Sequence, residues 1–123
     1  MKSEDKGIKR LLKAFVYSKQ GFLAAYKSEE AFRLDILFCV IMLGLSFFLP
    51  CSVGNRAYLT SSLIILLLME LVNTAIETIV DLVTKEYNEL AKKAKDIGSL
   101  LVLLAFVNVG MIWGAFLYGW LVK

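Results

Sequence analysis

Four polar residues, Glu70, Asn73, Glu77 and Asp81, recur every three or four positions along "ELVNTAIETIVDLV", directly after the apolar run "SSLIILLLM". On a helix turning about 100° per residue, with Glu70 at zero, Asn73 falls at about −60°, Thr74 at about +40°, Glu77 at about −20° and Asp81 at about +20°. Thr84 falls at about −40°. These groups share one face, and Leu71, Val72, Ala75, Ile76, Ile79, Leu82 and Val83 occupy the remainder. Asn73 and Thr74 alone would suit hydrogen bonding between helices. Three carboxylates ask for more, because a buried carboxylate needs a proton, a cation or a metal. No lysine or arginine lies between residues 57 and 84 to supply the cation from within the segment. A face rich in oxygen ligands suits a hard cation such as Mg²⁺. The chain has no histidine, and Cys39 and Cys51 lack C-x-x-C spacing, which argues against a zinc site or a Cys/His nucleophile.

The elements that carry this face must be membrane helices. Of 123 residues, 59% are hydrophobic, more than a soluble domain of this size can hide in its interior. The pattern predicts an all-α integral membrane protein forming a single domain over residues 1–123, with no internal repeat. Residues 7–26 read as an amphipathic helix, with Ile8, Leu11, Leu12, Phe15, Phe22, Leu23 and Tyr26 on one face and Lys19 as an exception among them. Such a helix lies on a membrane surface or packs on a neighbour, and the two are compatible. Three apolar segments follow, at 34–49, 57–84 and 97–122, each a candidate transmembrane helix. Arg33 and Asp35 mark the start of the first, and Pro50 ends it.

Charge orients the spans. Residues 1–33 carry eight lysines and arginines, Lys2, Lys6, Lys9, Arg10, Lys13, Lys19, Lys27 and Arg33. The loop expected at 84–96 carries Lys85, Lys92, Lys93 and Lys95, whereas the opposite side has only Arg56 and Lys123. Twelve against two places the N-terminus and the second loop in the cytoplasm. Trp113, Tyr118 and Trp120 then suit an aromatic belt, and Gly110 and Gly114 form a G-x-x-x-G that permits close helix approach.

With that orientation the polar face is ordered by depth. Glu77 lies about 10 Å nearer the cytoplasm than Glu70, at 1.5 Å per residue, and Asp81 is closer still. One acid is deep enough to meet a lipid headgroup, and another sits where a cytosolic anion could arrive with its metal. Beyond them, "KEYNELAKKAKD" mixes lysines with Glu86, Glu89 and Asp96. Most of these lysines are accounted for as anchors to anionic lipid. Glu29 and Glu30 precede the first span, where a glutamate pair is ordinarily solvated.

"E-x-x-N-T-A-I-E-x-x-V-D" followed by "EY-x-E-L-A-K-K-A-K-D" resembles the signature of the bacterial diacylglycerol kinase family, which includes an undecaprenol kinase branch. The resemblance continues upstream through "LLKAFVYSKQGFLAAYKSEEAFR" and covers nearly the whole chain. It implies an ATP-dependent lipid kinase of the inner membrane, a homotrimer with shared active sites on the cytoplasmic side. No Walker A motif or kinase glycine-rich loop is present, consistent with a separate kinase architecture. By similarity, Glu29 and Glu77 would bind Mg²⁺ on the ATP phosphates and Glu70 would be the base for the lipid hydroxyl. Arg10, Ser18, Glu86, Asn88, Lys95 and Asp96 match nucleotide-binding positions, with Asn73 and Asp81 supporting the site. Candidate lipid contacts are Glu70, Ser99, Arg33, Arg56 and Trp113.

A lipid hydroxyl stays at the interface, so its base must lie below the water line, which favours Glu70 over Glu77 and leaves the reverse assignment open. Asn88 stands where the family commonly has histidine. The "IGS" after "AKD" matches the diacylglycerol branch, so diacylglycerol is the expected substrate and undecaprenol the alternative. A small proton- or cation-coupled transporter is the rival from another class, since embedded acids are common proton relays. It leaves the extension of the acids into a charged loop unexplained. No role with nucleic acid is expected.

Overall fold

The computed structural model describes residues 6–122, all helix and short connection; Lys2 and Lys123, two of the orienting charges, lie outside the described residues. Four helices follow in order: α1 (Ile8–Ser28), α2 (Glu30–Phe48), α3 (Val53–Val83) and α4 (Glu89–Leu121). Three of them, α2, α3 and α4, are long and apolar enough to cross a membrane.

Helix α1 breaks at a single residue. Glu29 adopts an extended conformation (φ −120°, ψ 107°), closing α1 and opening α2. Arg33, one turn into α2, turns back and donates from Nη1 to the carbonyls of Tyr26 (2.6 Å) and Lys27 (3.2 Å). These last-turn carbonyls have no partner within their own helix, so the guanidinium satisfies them and fixes the corner. Phe32 is buried there with its ring edge-on to Phe22, 5.6 Å between centroids. The first half of α1 keeps its apolar side uncovered in the protomer, with Ile8, Leu11, Leu12 and Phe15 all exposed.

At the opposite end α2 gives way to Leu49 and Pro50, and α3 begins with Ser52 as its cap, Oγ accepting from the Asn55 N–H at 3.1 Å. Arg56 spans this turn, donating to the carbonyls of Ser46 (3.3 Å) and Leu49 (3.4 Å) while its guanidinium lies over the Phe47 ring. Helix α4 packs along α3 more extensively than α2 does. Leu59, Leu63 and Leu66 of α3 meet Ala105, Val109 and Trp113 of α4, with Cys39 of α2 closing the cluster. Buried hydroxyls are satisfied locally: Ser62 donates to the Leu59 carbonyl and accepts from Trp113 Nε1 at 3.2 Å. Hydrocarbon cannot supply those partners, so each group needs one inside the protein.

Only about a fifth of each spanning stretch is buried within the chain (22%, 17% and 17%), so most of its apolar surface is open. Gly110 and Gly114 meet no other part of the protomer. At 1.5 Å per residue, the 31 residues of α3 and the 33 of α4 extend about 46 and 50 Å, well past a hydrocarbon core of about 30 Å.

The region expected as a loop at 84–96 is mostly helix. Thr84 and Glu86 close a tight turn, the Glu86 N–H donating to Thr84 Oγ1 at 3.1 Å. Asn88 then caps α4, its Oδ1 accepting from the N–H groups of Leu90 (2.9 Å) and Ala91 (3.2 Å). Asparagine is among the strongest residues at this position, which explains why the charged run continues the helix instead of looping.

Candidate active site

The polar face of α3 meets α2 through Glu70 and Asp35, and α4 through Asn73 at Gly98 and Asp81 at Lys95. Glu70 is buried, 5% exposed, and lies near enough to Asp35 on α2 for the two carboxyl groups to act on each other. Glu77 and Glu29 also act electrostatically on Glu70. Four carboxylates from three elements, Glu29, Asp35, Glu70 and Glu77, thus converge on one region. Asp35 had read only as a marker of where the first span starts. A carboxylate more than one turn inside an apolar helix was the available signal; its partner, on another helix, was not.

One turn from Glu70, Asn73 Nδ2 donates to Glu77 Oε1 at 3.1 Å and orients that carboxylate. Asn73 is wedged against α4 at Gly98, where an added Cβ would collide with Asn73 Oδ1. The side chain can sit there because residue 98 has none, a close approach that small residues permit between membrane helices. Asn73 Oδ1 itself is buried without a donor.

Farther along the same face, Asp81 receives Lys95 Nζ at 2.9 Å, a bridge from α3 to α4 between two half-exposed side chains. The lysine absent from α3 therefore arrives from the next helix. Lys92 pairs with Asp96 at 2.6 Å on the exposed side of α4.

The remaining candidates fall into three places. Ser18 and the exposed Arg10 lie on α1, and Ser18 helps line a groove of about 560 Å³ against α3 that also includes Gly21, Ala25, Thr74 and Thr78. Glu86 and Asn88 are in the α3–α4 turn, where the Asn88 side chain is already engaged as a cap. Ser99 is exposed on α4, one residue beyond Gly98. Arg33 holds the α1–α2 corner. Arg56 and Trp113 sit at the Pro50 end of the bundle, away from the acids, and Trp113 is buried against Ser62.

Among the described residues, no cluster of three or more His, Cys, Asp or Glu side chains is arranged to hold a metal. Mg²⁺ is ordinarily held by one or two carboxylates, with phosphates and water completing the octahedron, and not by an all-protein cage. Glu77, oriented by Asn73, and Glu29, at the helical break, are the two carboxylates that the resemblance puts forward for it.

The profile of prokaryotic diacylglycerol kinase matches residues 16–117. The chain belongs to that family. It is 41% identical to the diacylglycerol kinase of Pseudomonas aeruginosa, over 92% of this chain and 92% of the relative. It is 38% identical to that of Haemophilus influenzae, over 91% of this chain and 95% of the relative. With that of Escherichia coli K12 the identity is 34%, over 92% and 93% of the two chains. A member of the prokaryotic diacylglycerol kinase family is an enzyme that uses a nucleotide phosphoryl donor, and three spanning helices make this one a multi-pass membrane protein. The transporter reading gives way to that membership.

Proposed function

We propose that this protein transfers the γ-phosphoryl group of Mg·ATP to the free hydroxyl of 1,2-diacylglycerol, giving phosphatidic acid at the cytoplasmic side of the bacterial inner membrane. The observation that carries the reading is the pairing of family membership with a buried Glu70 and an Asn73-oriented Glu77 on one face of α3. The working unit is a homotrimer with active sites shared between subunits, and α1 lies on the membrane surface. The uncovered apolar sides of α1 and of the three spans are consistent with both.

Glu70 accepts the proton of the lipid hydroxyl as its oxygen attacks the γ-phosphorus. Its burial keeps the base at the depth of the lipid and away from bulk water, which would compete for the phosphoryl group. Glu29 and Glu77 are the residues that would hold Mg²⁺, which when bound neutralises phosphate charge. Asn73 fixes the Glu77 carboxylate, and Asp81 holds Lys95 within reach of the nucleotide. Arg10, Ser18, Glu86, Asn88 and Asp96 complete the nucleotide side. Ser99, Arg33, Arg56 and Trp113 are assigned to the lipid. Phosphoryl transfer is dominated by positioning and charge, so this division of labour supplies what the reaction needs.

The test is direct: purified protein in mixed micelles, given Mg·ATP and diacylglycerol, forms phosphatidic acid. Product with undecaprenol instead moves the enzyme to the other branch. No product with either lipid overturns the reading.

A further inference from the structure

Glu29 is the one residue between α1 and α2, and its backbone belongs to both helices. Its N–H donates to the Ala25 carbonyl at 2.9 Å, as the last link of α1. Its carbonyl accepts from the Arg33 N–H at 3.3 Å, as the first link of α2. The direction in which the Glu29 side chain leaves the backbone is therefore set by the angle between the two helices. The β region is broad, so φ −120° and ψ 107° at one residue do not by themselves fix a corner. The angle must be held by ties across the corner, because α1 packs against α2 more than against any other helix. Arg33 supplies the polar tie. Its Nη1 donates to two last-turn carbonyls of α1, Tyr26 at 2.6 Å and Lys27 at 3.2 Å, and the guanidinium lies 6.0 Å from the Tyr26 ring centroid. A planar, permanently charged group meets both carbonyls at once, and its charge suits a helix C-terminus. Phe32 against Phe22 is the apolar tie beside it. Arg56 bridges the turn at the other end of α2 in the same manner, but residues 49–52 contain no acid, so only the first corner carries a carboxylate.

We propose that Arg33 is a positioning residue for the metal end of the site: by clamping the last turn of α1 to the start of α2, it fixes the aim of the Glu29 carboxylate. The inference rests on the proposed reading of Glu29 as a ligand of nucleotide-bound Mg²⁺. The resemblance places Arg33 with the lipid, whereas its Nη1 is taken up by the backbone of α1. Arg33 thus acts through Glu29 and not by touching lipid or phosphate. Groups that orient a metal ligand without touching the metal ordinarily matter about 10- to 100-fold in affinity. Asn73 orients Glu77 by a direct side-chain hydrogen bond. Arg33 does the same for Glu29 indirectly, by holding the backbone from which that carboxylate springs.

The test titrates purified protein in micelles with Mn²⁺ complexed to a non-hydrolysable ATP analogue and reads the bound metal by EPR, beside thermal melting and steady-state kinetics. Arg33→Ala weakens that binding about tenfold or more and leaves KM for diacylglycerol unchanged. Arg33→Lys keeps the charge but lacks the planar fork, and recovers only part of the binding. Glu29→Gln weakens binding by itself, and Arg33→Ala added to it weakens binding no further, because the clamp has lost the ligand through which it acts. Ser52→Ala removes the cap of α3 at the opposite end of the bundle; it lowers the melting midpoint and leaves Mn²⁺ binding at the wild-type value. Mn²⁺ binding unchanged in Arg33→Ala, or a raised KM for diacylglycerol as its only effect, overturns the role of Arg33. So does a full further loss when Arg33→Ala is placed on Glu29→Gln. Binding unchanged in Glu29→Gln overturns the metal role of Glu29 itself, so the two failures are distinguishable. If Arg33→Ala does not fold, Arg33→Lys decides: wild-type binding in that variant sinks the inference.

Discussion

Asn73 of α3 occupies the space that a side chain at residue 98 of α4 would fill, while its amide nitrogen holds Glu77 Oε1 at 3.1 Å. A helix–helix contact and a carboxylate-orienting hydrogen bond are therefore the same residue's two ends. Gly98→Ala must push Asn73 aside, and overpacking of this kind costs about 1–3 kcal/mol. The expected result is a KM for Mg·ATP raised about tenfold or more and a lowered melting midpoint. Gly44→Ala, whose added Cβ meets nothing within the protomer, serves as the control and leaves both unchanged.

The two acids of the face should fail differently. Glu70→Gln keeps shape and hydrogen-bonding capacity but cannot take a proton, so kcat falls about 10²- to 10⁴-fold while ATP binding is retained. Glu77→Gln leaves the base in place and raises the Mg²⁺ concentration needed for half-maximal rate. Steady-state kinetics at varied Mg²⁺, with nucleotide binding measured separately, tells the two apart. Near-normal turnover in Glu70→Gln refutes the assignment.

Asn88 has one duty visible in the fold and another assigned by resemblance. Losing the cap in Asn88→Ala costs about 1 kcal/mol, and Asn88→Ser restores it, as read from thermal melting in micelles. A nucleotide contact would show as a KM for ATP that stays raised in the serine variant. Full recovery of both quantities assigns Asn88 to the helix terminus alone.

Lys95 and Asp81 are half-exposed, and such pairs contribute little to stability. Asp81→Asn should leave the melting midpoint where it was and raise KM for ATP, because Lys95 loses the partner that aims it. Lys95→Ala should raise KM further. If both variants melt early with KM unchanged, the bridge is a strut and not a guide for the phosphates.

How far residue spacing reaches is clear from these same positions. The single face formed by Glu70, Asn73, Glu77 and Asp81 was legible because helical geometry is local: four residues and one angle suffice. The spanning character of three helices followed from apolar run length in the same way. What could not be read were the partners that cross between helices. Nothing near Asp35 in the chain points to Glu70, and nothing near Asp81 points to Lys95, since those pairings depend on how α2 and α4 dock against α3. The start of α4 was misplaced for another reason. A run of lysines and glutamates reads as a solvated loop, yet an asparagine cap makes it the first two turns of a helix longer than the bilayer requires.

That excess length has a consequence for the reaction. Diacylglycerol partitions into oil and ATP into water, and neither crosses readily to the other. A helix about 46 Å long in a hydrocarbon layer of about 30 Å is a rigid rod through the phase boundary. On the proposed assignment of Glu70 to the lipid and Glu77 to the metal-bound nucleotide, it would offer each reactant a docking point in its own solvent, about 10 Å apart, so that neither would have to dissolve where it is insoluble.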